Sequence, residues 1–108
     1  MNLHGIQLDS PEIRGFCIKW KIKQLSVVGS ILRDDFLPDS DVDFLAEFEQ
    51  SAVTQNYDLF DDIHMHDELS QIVGREVDII DRSVIESGSN RYIRAELLGT
   101  AEAVYARR

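Results

Sequence analysis

The sequence predicts an α/β (α+β) fold, a small mixed β-sheet with helices packed mainly on one face. Three observations carry that expectation. Short apolar, β-branched runs at residues 25–28, 42–48 and 77–80 have the length of strands. Stretches of helical spacing or helical composition lie before, between and after them. The 108 residues suffice for one domain with a real core, residues 1–108, and leave no room for a second lobe.

Each element has a local reason. Ser10 can cap a helix whose first position is Pro11, and Ile13, Phe16, Cys17 and Trp20 then recur on one face, which marks that face as core. Residues 25–28 read as a buried strand, closed by a tight turn at Gly29-Ser30 that opens toward residues 31–36. In the run 42–48, alternation puts Val42, Phe44, Ala46 and Phe48 on one face and Asp41, Asp43, Leu45 and Glu47 on the other. Both aspartates therefore point the same way.

Residues 57–73 have helical composition and Gly74 is placed to end the helix. Its acids Asp58, Asp61, Asp62, Asp67 and Glu68 read as a solvent-facing side, with contact to a basic partner as the lesser reading. His64 and His66, two apart, fall on different helix faces and are expected on solvated surface. A third strand at 77–80 carries Asp78 among Val77, Ile79 and Ile80, apolar surroundings in which an acid needs a partner. After "SGSN" a helix is expected over 91–98, then a short strand at "AVY". Trp20 is expected in the core, and Tyr92 and Tyr105 as packing residues.

Composition restricts the partners. Eleven Lys and Arg against 20 Asp and Glu leave a formal charge of -9, which opposes direct contact with nucleic-acid phosphates or an anionic membrane surface. A basic protein or a metal ion suits that charge better. No apolar run approaches the ~20 residues of a membrane span, and "MNLHGIQLDS" lacks the basic-then-apolar plan of a signal peptide. The single Cys17 excludes an internal disulfide, so a reduced, cytoplasmic setting is expected.

Paired carboxylates on one strand face repel and call for a cation. An isolated D-x-D is most often an exposed strand end. A calcium loop would use Asp39, Asp41 and Asp43 as its first, third and fifth positions, but it then needs glycine at Phe44 and glutamate at Gln50. Mg²⁺ remains: it takes one or two carboxylates and completes its shell with water and substrate phosphates. Asp78, on a neighbouring strand, could serve a second ion or accept a proton from an attacking hydroxyl. Gly29 permits close backbone approach to a phosphate, and Ser30 offers an N–H and a hydroxyl.

Together, "GSILRDDFLPDSDVD" and the later "GREVDII" resemble the pattern of the DNA polymerase β-like nucleotidyltransferase superfamily, in particular its minimal nucleotidyltransferase branch. There a Gly-Ser pair is followed at a fixed interval by Asp-x-Asp, and a third aspartate lies on a later strand. The resemblance implies that Asp41, Asp43 and Asp78 are the catalytic, metal-binding carboxylates, holding Mg²⁺, two ions in all. It implies that Gly29, Ser30, Arg33 and Ser40 bind the nucleotide, with ATP as substrate. It further implies an antitoxin that transfers AMP to a hydroxyl, a tyrosine, of a partner HEPN-domain toxin, and a hetero-oligomer with that toxin. The chain departs from the family's usual "GSRARG": Ile31 stands where an arginine is usual and Asp34 where a glycine is usual, while Arg33 is kept. Arg33 either assists the phosphates or pairs with Asp34 or Asp35. The competing expectation is an antitoxin that neutralises a basic partner by binding alone.

Overall fold

A computed structural model describes residues 2–34, 36–49, 57–88 and 91–107. The chain opens with a two-residue hairpin, β1 (Asn2–Leu3) and β2 (Ile6–Gln7), turned by His4 and Gly5 in the left-handed region (φ 53° and 79°). The sequence reading did not anticipate it, and its role is local: His4 Nε2 meets the carbonyl of Ile31 at 3.0 Å and the ring lies 4.8 Å from that of Phe36.

Helix α1 (Pro11–Lys19) starts as expected, with Ser10 Oγ accepting the amide of Ile13 at 3.3 Å. It buries Ile13, Phe16 and Cys17. Trp20 follows in the core, and burial of one such apolar side chain contributes roughly 1.5–3 kcal/mol. Strand β3 (Ile22–Val28) begins three residues before the expected 25, because Ile22 is a core residue although charged and polar residues separate it from Leu25. A single 3-10 turn, Gly29–Leu32, follows, and then β4 (Val42–Phe48).

Helix α2 (Leu59–Val73) is bounded by strong local signals. Asp58 and Asp61 form a reciprocal capping box at its start, and Gly74, at φ 75° and ψ 21°, ends it in the left-handed conformation that glycine adopts without a steric cost. Strand β5 (Val77–Asp81) runs into α3 (Arg82–Ser87), whose N-cap Asp81 accepts the amide of Ser83. Helix α4 (Arg91–Thr100) and strand β6 (Glu102–Ala106) complete the fold, each longer than the sequence suggested.

The main sheet has the order β5-β4-β3-β6. Strands β3 and β4 are antiparallel, as are β3 and β6, while β4 and β5 are parallel and joined through α2. Helices α1 and α2 pack together over one side of the sheet, on Leu25, Val27, Val42, Phe44 and Ala46. Leu45, on the same face of β4 as Asp43, is buried too, and α3 packs against β4 and β5, so the sheet is covered beyond the carboxylates. No helix among the described residues is long and apolar enough to cross a membrane.

Candidate active site

Two adjacent strands and one turn build the site. The turn is Gly29, at φ 77°, directly after β3. A Cβ added to Gly29 would stand 2.9 Å from Oδ2 of Asp43, so glycine here lets the turn lie against that carboxylate. Asp41 precedes β4 by one residue, and Asp43 is the second residue of the strand. In the parallel β4–β5 pair, Asp43 is in register with Asp78, and neighbouring strands lie about 4.8 Å apart. The three aspartates that the sequence singled out therefore lie at the same end of two paired strands, Asp43 beside Asp78.

Their electrostatics follow from that placement. Burial, then the charge of Asp78, then that of Asp41 hold the Asp43 carboxyl above the usual aspartate range. Asp78 is otherwise than expected: its side chain is 61% exposed, because β5 is the edge of the sheet and its apolar neighbours pack inward without enclosing it. The expected need for a buried partner does not arise. His66 also differs from the expectation of solvated surface. It is half-buried against β5, where Ile79 donates its backbone amide to Nε2 at 3.3 Å, and Nε2 lies 3.8 Å from Oδ1 of Asp78. Nδ1 then carries the ring proton, 2.9 Å from the carbonyl of Asp62. His64 is exposed as expected.

Arg75 is the residue that sequence reasoning missed. Its guanidinium donates to the carbonyls of Leu37 and Ser40 at 2.9 and 2.8 Å and covers the ring of Phe36 at 4.9 Å. It thereby fixes the loop that delivers Asp41. Its position just ahead of the third strand in "GREVDII" was the only signal. Ser40 accepts the amide of Leu37 on its hydroxyl at 3.0 Å and donates its own amide to Leu37, so within this structure it closes the same loop.

Gly29 and Arg33 also line a cleft of about 450 Å³ with Leu32, Thr100 and Glu102, between the turn and the α4–β6 junction. Ile31, where the resembled pattern has an arginine, points into the core. Asp35, one of the acids that could pair with Arg33, lies outside the described residues. Tyr92 is largely exposed rather than packed, whereas Tyr105 packs against the core. Glu68 is not simply solvent-facing, since it accepts from Trp20 Nε1 at 2.9 Å and Lys19 Nζ at 3.0 Å.

The donor set can be tested against a metal. Asp41 and Asp43 offer hard oxygen ligands and a local excess of negative charge, which suits Mg²⁺. Among the described residues no group of three His, Cys, Asp or Glu is gathered to enclose a metal ion. Water and substrate phosphate oxygens would have to complete the shell of any ion held by these two carboxylates.

The nucleotidyltransferase domain family matches this chain over residues 12–100. The chain belongs to that family. As a nucleotidyltransferase it is similar to protein adenylyltransferase MntA of Thermococcus cleftensis, with 28% identity over 80 residues, 74% of this chain and 76% of the relative. Its fold matches a toxin–antitoxin crystal structure with AMP-PNP at a TM-score of 0.63 and 14% identity, covering 90% of this chain and 73% of that one. It also matches a chain from a structure of tri-AMPylated Shewanella oneidensis HEPN toxin in complex with MNT antitoxin, at TM-score 0.58 and 14% identity, covering 94% of this chain and 72% of that one. The expected fold class and family are both borne out.

Proposed function

We propose that this nucleotidyltransferase, acting as one minimal domain in the cytoplasm, transfers AMP from ATP to a tyrosine hydroxyl of a partner HEPN-domain toxin and so serves as its antitoxin in a hetero-oligomer. The observation that carries the reading is the register pairing of Asp43 with Asp78, with Gly29 against Asp43. The names and contents of the similar proteins support the substrate and partner: an adenylyltransferase, a toxin–antitoxin complex with an ATP analogue, and an AMPylated HEPN toxin.

Asp41 and Asp43 would hold Mg²⁺, two ions with the help of Asp78, and the metal would supply charge neutralisation at the phosphate oxygens. Gly29 and Ser30 admit and bind the phosphates through backbone and hydroxyl, and Arg33 faces the same cleft, where the nucleoside has room. Ser40 holds the loop ahead of Asp41 and so acts on the nucleotide through that loop. Asp78, exposed at the sheet edge, is open to an incoming acceptor. The acceptor oxygen forms a bond to the α-phosphorus, the bond from that phosphorus to the bridging oxygen breaks, and pyrophosphate leaves with the electron pair. The hydroxyl proton passes to the Asp78 carboxylate.

A second reading, neutralisation by binding alone, is favoured by one observation. Ile31 is buried, so this segment lacks one of the two arginines of the resembled pattern and keeps only Arg33. Mass spectrometry of the HEPN partner after co-expression separates the two. Wild type should add one or more AMP groups and Asp41→Asn/Asp43→Asn none; a partner silenced but unmodified by wild type establishes binding alone.

A further inference from the structure

The free edge of the sheet and the helix beside it form a surface that the catalytic reading leaves unused. In β5 the carbonyl of Glu76 bonds the amide of Val42 at 2.9 Å, so the backbone groups of residues 76, 78 and 80 bond toward β4 and those of 77, 79 and 81 point to the outer edge, where His66 Nε2 accepts the amide of Ile79. Between this edge and α2 lie two clefts of about 330 and 310 Å³. They meet at Asp62, which lines both. Met65 and Ile79 floor the first, and Ile63 and Val77 belong to the second.

The lip of this groove is apolar and open. Leu59 and Ile63, which line it, are 70 and 54% exposed on the first two turns of α2, and Phe60 beside them on the helix is 71% exposed. Side chains of this kind normally turn inward on an amphipathic helix, and a cluster of them at the surface marks an interaction site. Asp58, Asp62, Asp67, Glu76 and Asp81 surround the apolar floor, and among the described residues lining the two clefts there is no lysine or arginine. The groove also runs to the catalytic end of the strand, since His66 lines it and has Nε2 3.8 Å from Asp78 Oδ1.

We propose that the α2–β5 groove is the seat of the acceptor protein, taking a segment with apolar side chains flanked by lysine or arginine and delivering the acceptor hydroxyl to Asp78. The proposal rests on the transfer reading for the acceptor's identity. Complementarity to the acidic rim favours the basic segment over a second copy of this chain, whose net charge of -9 would repel. Apolar contact supplies the affinity, and the acids set orientation and encounter rate.

The test compares wild type with Leu59→Ser/Ile63→Ser and with Asp62→Lys/Asp67→Lys, all exposed positions outside the catalytic groups, by titration against the co-purified HEPN-domain partner. Each pair should weaken the complex by at least about tenfold while Mg²⁺–ATP affinity stays within about twofold. Hydrogen exchange should slow on binding across residues 59–67 and 76–81. Unchanged affinity in both variants, or absence of any complex with wild type, overturns the proposal. So does self-association of this chain through residues 59–67. A partner that binds through the groove yet gains no AMP supports the seat and refutes the transfer, so the two claims fail separately.

Discussion

Gly29 lies so close to Asp43 that a methyl group in place of its hydrogen would stand 2.9 Å from the carboxylate oxygen Oδ2. The contact sets the glycine turn directly against the Asp43 side chain, and a φ of 77° at Gly29 adds a second reason for glycine.

Gly29→Ala should therefore fail twice. Left-handed backbone costs a non-glycine residue about 1–2 kcal/mol, seen as a lower midpoint in thermal unfolding. Displacement of Asp43 should also weaken Mg²⁺–ATP binding in calorimetry, and this loss should persist at temperatures where the variant is fully folded. A variant with lowered stability but wild-type affinity would show that Asp43 can move aside at no cost to the site.

What the sequence revealed and what it hid divide along local and topological lines. The caps at Ser10 and Gly74, the α1 stripe and the alternation in β4 are written within a few residues, and all are found, whereas the equally local capping box at Asp58 was read only as surface charge. The aspartates were legible because the interval between Gly29-Ser30 and Asp41-x-Asp43 is itself a sequence feature. The exposure of Asp78 was not, because it depends on β5 being the sheet edge, which the order of pairing decides. His66 and Arg75 were missed for the same reason: the crossover through α2 brings one beside Asp78 and the other to Leu37 and Ser40, contacts 12 to 38 residues away in sequence. Helix α3, six residues with polar ends, was too short to give a period.

The raised pKa of Asp43 makes a stability statement. A carboxyl whose folded pKa exceeds its unfolded value binds more protons in the native state, so its contribution to stability falls as pH rises through that window. Asp43→Asn removes the charge and should raise the unfolding midpoint at neutral pH. The advantage should vanish below the ordinary aspartate pKa of ~3.9, where both carboxyl forms are neutral. Thermal melts at about pH 3 and pH 7 check the sign, and Mg²⁺ with ATP should stabilise wild type but not the variant.

Arg75 holds the loop before β4 by two carbonyl bonds from one nitrogen, Nη2, while its planar guanidinium covers the Phe36 ring, a combination that the compact ammonium of a lysine does not reproduce at once. Arg75→Lys should cost about 1 kcal/mol of stability and loosen the approach to Asp41. The expected signature is weaker Mg²⁺–ATP binding with faster hydrogen exchange at residues 37–41. If exchange there is unchanged, Ser40 and Leu37 suffice to close the loop without the guanidinium.

Asp78 should divide binding from chemistry. Asp43 adjoins the glycine turn, whereas Asp78 stands across the strand pair with its side chain exposed at the sheet edge. Under the proposed transfer, a carboxylate there would draw off the acceptor proton and contribute less to holding the triphosphate than Asp41 and Asp43. Asp78→Asn keeps the size and shape of the side chain and loses the basic oxygen. Its ATP affinity with Mg²⁺ should stay within about tenfold of wild type, since one ligand of a shared shell is weakened rather than lost. Transfer of AMP should fall by about 10²–10⁴-fold, the usual value of a positioned general base. Single-turnover transfer from labelled ATP to the HEPN partner measures the second quantity and calorimetry the first. Loss of affinity in step with loss of rate would make Asp78 a metal ligand alone and leave the proton to another acceptor.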